Sequence, residues 1–303
     1  MDLNEIRKSD AYVKAYANYI KSNGKDDSEC RALLSENATN GTVPVPEIVY
    51  DIVKNAWERD GITSRVRKAY LRGNLKVGFE ISSDGAVIHT EGGAAIDPEN
   101  LVLGIVEIKA ESIKKVVQIS DEALDLAGEA FLRYIYDEVT YQIAKKAADT
   151  LLAQISALST TATTTAVNVG LVTATTVTVD ITAKALAELS DQATDVTLVM
   201  NRQTWGAFKA AQAANKFNYD PFEGLDVVFN NNLKAFSAAS TGDVWMIAGD
   251  FNEGALFNFP NGDEINIVVD RLSLKKQDLV EIMGREFVGI GVVGPKSFCK
   301  VVK

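Results

Sequence analysis

The chain has 303 residues, 47% hydrophobic and 24% charged, with a formal net charge of −10. That is the composition of a globular protein long enough for two domains and a sizeable core, and it excludes disordered and collagen-like chains. The acidic balance disfavours tight, phosphate-led nucleic-acid binding, which needs clustered Lys and Arg, but it is compatible with a surface that lies near nucleic acid without adhering.

The opening MDLNEIRKSD carries Asp2 and Glu5 and no apolar stretch, so no signal peptide is expected, and no run of eighteen apolar residues predicts a membrane span. Leu3, Ile6, Val13, Tyr16 and Ile20 predict an amphipathic helix that ends in the breaker Ser22 to Asp27. Such a helix is either a docking arm or a frayed tail. A short helix follows over Glu29 to Leu34, and Pro46 can open another over Glu47 to Arg59, because its missing N–H costs nothing in a first turn. After Gly61 the period changes to two. Leu75, Val77, Phe79 and Ile81 alternate with polar or small residues up to the turn Ser83-Asp84-Gly85, and Val87-Ile88 begin a return, predicting an extended hairpin. The stretch Glu91 to Glu99 is too Gly-rich and acidic to be core, and a long arm that buries little against its own domain should lie on something else. Val106 to Ala110 and Val117 to Ile119 continue the alternation.

The longest periodic stretch is Ser120 to Ile155. Ser120 is a good N-cap, and Asp121 and Glu122 fall where a first turn favours carboxylates. Phe131, Ile135, Val139, Ile143, Ala147 and Leu151 recur every fourth position, so the apolar face advances about 40° per step and turns through about 200° along the helix. A helix that changes its buried side reads as a spine between two packed units, with an ordinary core helix as the alternative. Beyond it, Ser159 to Thr165 predicts an exposed loop. Then come Val177 to Val179 as a strand, a helix over Thr182 to Ser190, a strand over Val196 to Met200 and a helix over Gln203 to Asn215. Asp220 to Phe229 predicts a turn and strand, with further strands at Val244 to Ala248, Ala255 to Phe259, Ile265 to Val269 and within Val288 to Val302.

No catalytic, cofactor-binding or metal-binding residue is expected. The one histidine, His89, has no nucleophile or metal-ligand spacing around it. Cys30 and Cys299 form no spaced motif and fit a reducing compartment. Gly289-Ile290-Gly291-Val292-Val293-Gly294 matches a dinucleotide fingerprint, but that needs a following helix and a second strand, and only nine residues remain. Asp121/Glu122 and Glu107/Glu111 read as helix-start charges and a solvated strand face.

Taken in order, these pieces resemble the major capsid protein family of tailed bacteriophages and its Hong Kong 97-type fold, from about Asn40 to Lys303. The residues that carry the resemblance are Val43-Pro44-Val45-Pro46 leading into a helix, Thr90-Glu91-Gly92-Gly93 on the arm, and Val117 to Leu124 opening the spine. Further on they are Leu198 to Trp205, Gly224 to Val228, Ile247 to Phe251 and Val292 to Phe298. The resemblance implies an α+β fold with an N-terminal arm (1–42) and a peripheral domain (43–155 and 262–288). That domain holds the spine helix (120–155) and an extended β-hairpin loop (77–108) lying on the adjacent subunit. An axial domain (156–261) is rejoined by a C-terminal strand (289–303). It implies a structural protein, not an enzyme: a shell subunit that assembles with itself through pentamers and hexamers around double-stranded DNA contacted non-specifically. Portal, a separate scaffolding protein and a decoration protein are the other expected partners, with no membrane. Assembly is expected in the host cytoplasm and residence in the virion capsid.

Two departures refine the expectation. Some relatives join subunits by an isopeptide bond between an extended-loop Lys and an Asn; here no Lys occurs from Val77 to Ile108, and the matching stretch offers Asp278, so no such crosslink is expected. Only about 40 residues precede Val43, so scaffolding comes from another protein or this arm suffices. The alternatives are an encapsulin-like nanocompartment shell and, more remotely, a soluble α/β nucleotide-binding enzyme using Gly289 to Gly294.

Overall fold

The computed structural model describes residues 9–21, 28–34, 60–82, 102–120, 128–214, 220–262, 265–270 and 279–303. In chain order these form α1 (Asp10–Lys21), α2 (Ser28–Leu34), β1 (Arg67–Ala69), β2 (Leu75–Ser82), β3 (Val102–Ile108), β4 (Ala110–Ser120) and the long helix α3 (Gly128–Ala157). Then follow β5 (Gly170–Thr173), α4 (Ile181–Ala187), β6 (Val196–Met200), α5 (Arg202–Ala214), β7 (Asp226–Phe229) and β8 (Val244–Asp250). The chain closes with α6 (Phe251–Gly254), β9 (Ala255–Asn258), β10 (Asn266–Asp270), β11 (Leu279–Val292) and β12 (Phe298–Val302). The fold is α+β, in two compact units: Met1–Ser64 with Glu111–Ala148 and Asn261–Val288, and Arg65–Ala110 with Asp149–Pro260 and Gly289–Lys303.

In the first unit, Ser9 caps α1, its Oγ accepting the Tyr12 N–H at 3.2 Å. Tyr12, Ala15 and Tyr16, spaced to share one helix face, are buried, as is Cys30 on α2, and the Asn18 amide donates to Glu29 at 2.9 Å between the two helices. The N-terminal helix therefore packs on α2 rather than fraying. Strand β11 pairs antiparallel with β10, from Asn266 opposite Arg285 to Asp270 opposite Glu281. Gly284 clears the way for α3: a Cβ there would overlap Val139 and lie 3.4 Å from Ile143.

Helix α3 changes its buried side. Residues eighteen apart are separated by about five turns and so lie on one line along the helix. Ile135 is buried and Ala153 exposed; Asp137 is exposed and Ile155 buried. The apolar face has turned, as the four-residue spacing requires. Ser120 closes β4 rather than standing clear as a cap, and the proposed first turn at Asp121 and Glu122 lies outside the described residues. The described helix runs two residues beyond Ile155, to Ala157.

The second unit is built on a sheet of order β5-β12-β8-β6-β7, with β5 and β7 at the edges. Pairs β12/β8 and β6/β8 are antiparallel, and β12/β5 and β6/β7 parallel. The central strands β6 and β8 read as near-continuous apolar runs because both their faces are covered. Trp245 anchors the core, its ring centroid 5.2 Å from Phe236 and 5.9 Å from Phe208 of α5. Gly249 leaves room for the Phe298 ring, which a Cβ would overlap.

Two points differ from the sequence reading. Val177 to Val179 are not a strand: Thr178 and Val179 turn their carbonyls to Ile181 N–H and Thr182 Oγ1 at the start of α4, while the strand beside β12 is the short Gly170–Thr173. Strand β1 and the one-turn helix α6 carry too few residues to show a period, and neither was expected. Within the second unit, residues 65–110 are held by the pairing of β1 with β9 and by Ile108 packed against Leu256 and Val293. The helix proposed over Glu47 to Arg59 and the return at Val87-Ile88 lie outside the described residues.

Candidate assembly surfaces

Strands β2 and β3 form a two-stranded antiparallel ribbon, from Leu75 opposite Ile108 to Ser82 opposite Val102. Its register sets two faces. On one, Leu75, Val77 and Phe79 meet Ile108, Val106 and Gly104, and the Phe79 ring fills the space where a Cβ on Gly104 would sit. On the other, Leu103 and Ile105 are 60% and 53% exposed among Lys76, Glu80 and Glu107. Exposed apolar side chains in a row are unusual on a surface that meets only water.

The base of this arm is held firmly. Asn258, fully buried, accepts the Leu71 N–H at 2.9 Å and donates to the Leu71 and Gly73 carbonyls at 3.0 and 3.3 Å, around a turn in which Gly73 has φ of 94°. Ile108 is seated over Gly289 and Gly291, where a Cβ would crowd or overlap it. On the outer edge, the Ile105 N–H donates to the Thr164 carbonyl at 2.8 Å, tying the Ser/Thr-rich loop to the ribbon.

Around the sheet of the same unit, polar groups are matched over long sequence distances. Buried Asp250 accepts four backbone N–H groups: Asn252 and Glu253 at 3.0 and 3.2 Å on Oδ1, Thr194 and Asp195 at 3.1 Å each on Oδ2. It caps α6 and pins the turn before β6. Lys300 Nζ donates to the Ser156 and Leu158 carbonyls at 2.9 and 2.6 Å, closing the C-terminal end of α3 where a cation is favoured, and burial holds its ammonium below the usual lysine range. Asp149 accepts the Asn230 amide at 3.0 Å. At edge strand β7, Phe229 is partly exposed under the Arg202 guanidinium, 4.5 Å from its ring centroid.

Gly289 to Gly294 end β11 and turn into β12, so no helix follows and the glycines serve packing: Gly289 and Gly291 admit Ile108, and a Cβ on Gly294 would crowd the Gly254 backbone at 3.0 Å. The dinucleotide pattern is therefore a match of spacing without the fold it requires. Glu107 and Glu111 are solvated, with Glu107 3.4 Å from Lys109. Cys299 is buried beside Gly170, and burial, with the Glu188 carboxylate adding, pushes its thiol up to about 12. No group of three or more His, Cys, Asp or Glu able to hold a metal occurs among the described residues. His89, Asp121, Glu122 and Asp278 lie outside those residues. Asn258, Asp250 and Lys300, which shape these surfaces, are not legible as such in the sequence, because their partners lie up to 187 residues away.

A two-unit α+β chain with a long helix and a projecting β-ribbon has the architecture of a shell protein, and comparison with solved structures agrees. The capsid of the empty GTA particle, computed with C5 symmetry, matches 88% of this chain and 93% of its own at 14% identity and a TM-score of 0.62. The virus-like particle from Pyrococcus furiosus matches 84% of this chain and 96% of its own at 12% identity and 0.56. The capsid of the Cyanophage P-SCSP1u matches 78% and 86% at 11% identity and 0.53. No curated protein matches in sequence. The model of the phage capsid family matches residues 40–303, and the chain belongs to that family. It is a major capsid protein with the Hong Kong 97-type fold, a structural component of the virion that assembles with copies of itself into a phage shell.

Proposed function

We propose that the chain builds the icosahedral head of a tailed phage, closing through rings of five and six copies around double-stranded DNA. The observation that carries this is the arm: a two-stranded ribbon, marginal alone, presents Leu103 and Ile105 to solvent on a rigid base. The described residues leave those side chains open, and we read them as contacts for another copy. When the surface they meet differs from their own, the contact is heterologous, and repeated rotation closes it into rings. We read 77–108 as the extended loop and 1–42 as the N-terminal arm. We read 43–155 with 262–288 as the peripheral part, and 156–261 with 289–303 as the axial part. Without a Lys in 77–108, the shell is held by non-covalent contacts. Net charge of −10 suits an inner face that lies near DNA without binding it tightly. Portal, scaffolding and decoration proteins complete the particle, which forms in the host cytoplasm.

Size-exclusion chromatography and negative-stain microscopy of the purified chain, alone and with the phage's scaffolding protein, test this. Closed shells or rings of five and six are expected; a chain that stays monomeric or dimeric under both conditions overturns it. The contents of particles purified from infected host distinguish a DNA-filled head from an encapsulin-like shell, which would hold protein cargo.

A further inference from the structure

Two consecutive stretches of this acidic chain segregate charge by sign. Residues 65–76 carry Arg65, Arg67, Lys68, Arg72 and Lys76 and no carboxylate. Residues 77–106 carry Glu80, Asp84, Glu91, Asp97 and Glu99 and no Lys or Arg. The first stretch is the base of the arm and the second is nearly all of the arm itself. Blocks of one sign raise the energy of the chain that carries them unless they meet the opposite sign.

Three cations of the base do not meet it within the described residues. Arg65 is committed to Asp226 at 2.6 Å. Arg67, Arg72 and Lys76 are exposed and form no ion pair among the described residues; Glu107, across the ladder from Lys76, lies 3.4 Å from Lys109. Between those cations the base exposes Tyr70 and Leu71, each 54% accessible. Both are held in place, Tyr70 stacked 6.0 Å from Phe259 and Leu71 bonded through its N–H and C=O to Asn258. The base is thus a fixed pattern of cation, apolar pair and cation. The acidic arm has the matching order in its sequence: Glu91, then Ala94-Ala95-Ile96, then Asp97 and Glu99. Seven residue steps of ribbon from Leu75 to Ser82, about 23 Å at the usual rise, carry the chain away from the base before that segment begins.

We propose that the acidic arm segment Glu91 to Glu99 of one copy docks on the basic arm base of the next copy, at Arg67, Arg72 and Lys76 around Tyr70 and Leu71. The proposal rests on the shell reading above and names what the arm recognises: the same surface on every neighbour, by opposite charge flanking an apolar pair. Complementary charge of this kind fixes register and rejects wrong neighbours more than it adds affinity.

Charge reversal tests it. One chain carries Arg67→Glu, Arg72→Glu and Lys76→Glu; a second carries Glu91→Lys, Asp97→Lys and Glu99→Lys; a third carries all six changes. Wild-type assembly is the control for the shell reading. If the wild type assembles, each triple variant is expected to lose about tenfold or more in assembled material by size-exclusion chromatography, with an unchanged circular dichroism spectrum, and the sixfold variant to recover it. A 1:1 mixture of the two triple variants should form rings that neither forms alone, because each supplies the sign the other lacks. Assembly by either triple variant alone at wild-type yield overturns the proposal and leaves the shell reading standing. Recovery in the sixfold variant without recovery in the mixture also overturns it, since the contact then lies within one copy. Should a variant misfold, wild-type assembly decides: its loss is expected to follow the salt, as screening shortens from about 30 Å at 0.01 M to about 3 Å at 1 M. Indifference to salt over that range contradicts the proposal, and a wild-type chain that never assembles removes both readings.

Discussion

The sheet β5-β12-β8-β6-β7 and the ribbon β2–β3 belong to one compact unit and draw on similar residues, yet they resolve their surfaces in opposite ways. In the sheet, Trp245, Phe208 and Met200 are fully buried, and Asp250 and Lys300 satisfy backbone groups from distant segments. The ribbon buries Phe79 over Gly104 and Ile108 on one face, and on the other it turns Leu103 and Ile105 outward. A sheet covered on both faces contains its partners in the same chain, whereas a two-stranded ribbon must find them elsewhere. The sheet accordingly carries the stability of the subunit, and under the proposed assembly the ribbon carries its association.

Substitutions in the two regions should therefore separate folding from assembly. The largest effect on folding is expected for Trp245→Ala, which empties the centre of the aromatic core and should cost about 3–5 kcal/mol in chemical denaturation. A loss below about 1 kcal/mol would break the assignment of stability to the sheet. Asp250→Ala leaves the N–H donors of Thr194, Asp195, Asn252 and Glu253 without their acceptor and should cost about 2 kcal/mol, part of it restored by Asn.

Alkaline pH reads the same core. The Cys299 thiol, held at about 12 in the fold against 9.0 for an ordinary thiol, stays protonated while the unfolded chain loses its proton. The fold therefore loses stability as pH rises from about 9 towards 12, by about 1.4 kcal/mol at pH 10, and Cys299→Ala should remove that part of the slope. Below pH 9 the two should run parallel. Lys300→Met, which uncaps the Ser156 and Leu158 carbonyls, should cost about 1 kcal/mol by thermal unfolding.

The smallest effect on folding should accompany the greatest effect on association. Leu103→Asp with Ile105→Asp is expected to shift monomer stability by no more than about 0.5 kcal/mol while abolishing shells in negative-stain images. A variant that destabilised the subunit as much as Trp245→Ala would show that the ribbon's outer face already has its partner within the chain.

Periodicity made much of this legible. The four-residue spacing from Ile135 to Leu151 foretold a helix that changes its buried side, and the alternation over Leu75 to Ile81 foretold the ribbon. Val196 to Met200 was readable because the strand is apolar but for Thr197, and largely β-branched. Val177 to Val179 misled, since β-branched residues also serve as the half-buried lead-in to a helix, and three residues are too few to tell. Gly289 to Gly294 matched a dinucleotide spacing that the short remaining chain already argued against: glycine spacing is shared by phosphate loops and by strands that must admit a neighbour's side chain, and Ile108 is that neighbour.

Local order in the chain governs what neighbours along it can enforce: helix periods, strand alternation, turn chemistry, and the separation of charge between arm base and arm. Long-range geometry governs the rest. Asn258 clamping Leu71 and Gly73, Asp250 gathering Thr194 and Asp195, and Lys300 closing α3 depend on segments brought together only when the core packs. A hydrogen bond between residues 187 apart leaves no periodic trace, because its energy depends on where the backbone returns and not on what stands beside it in the chain.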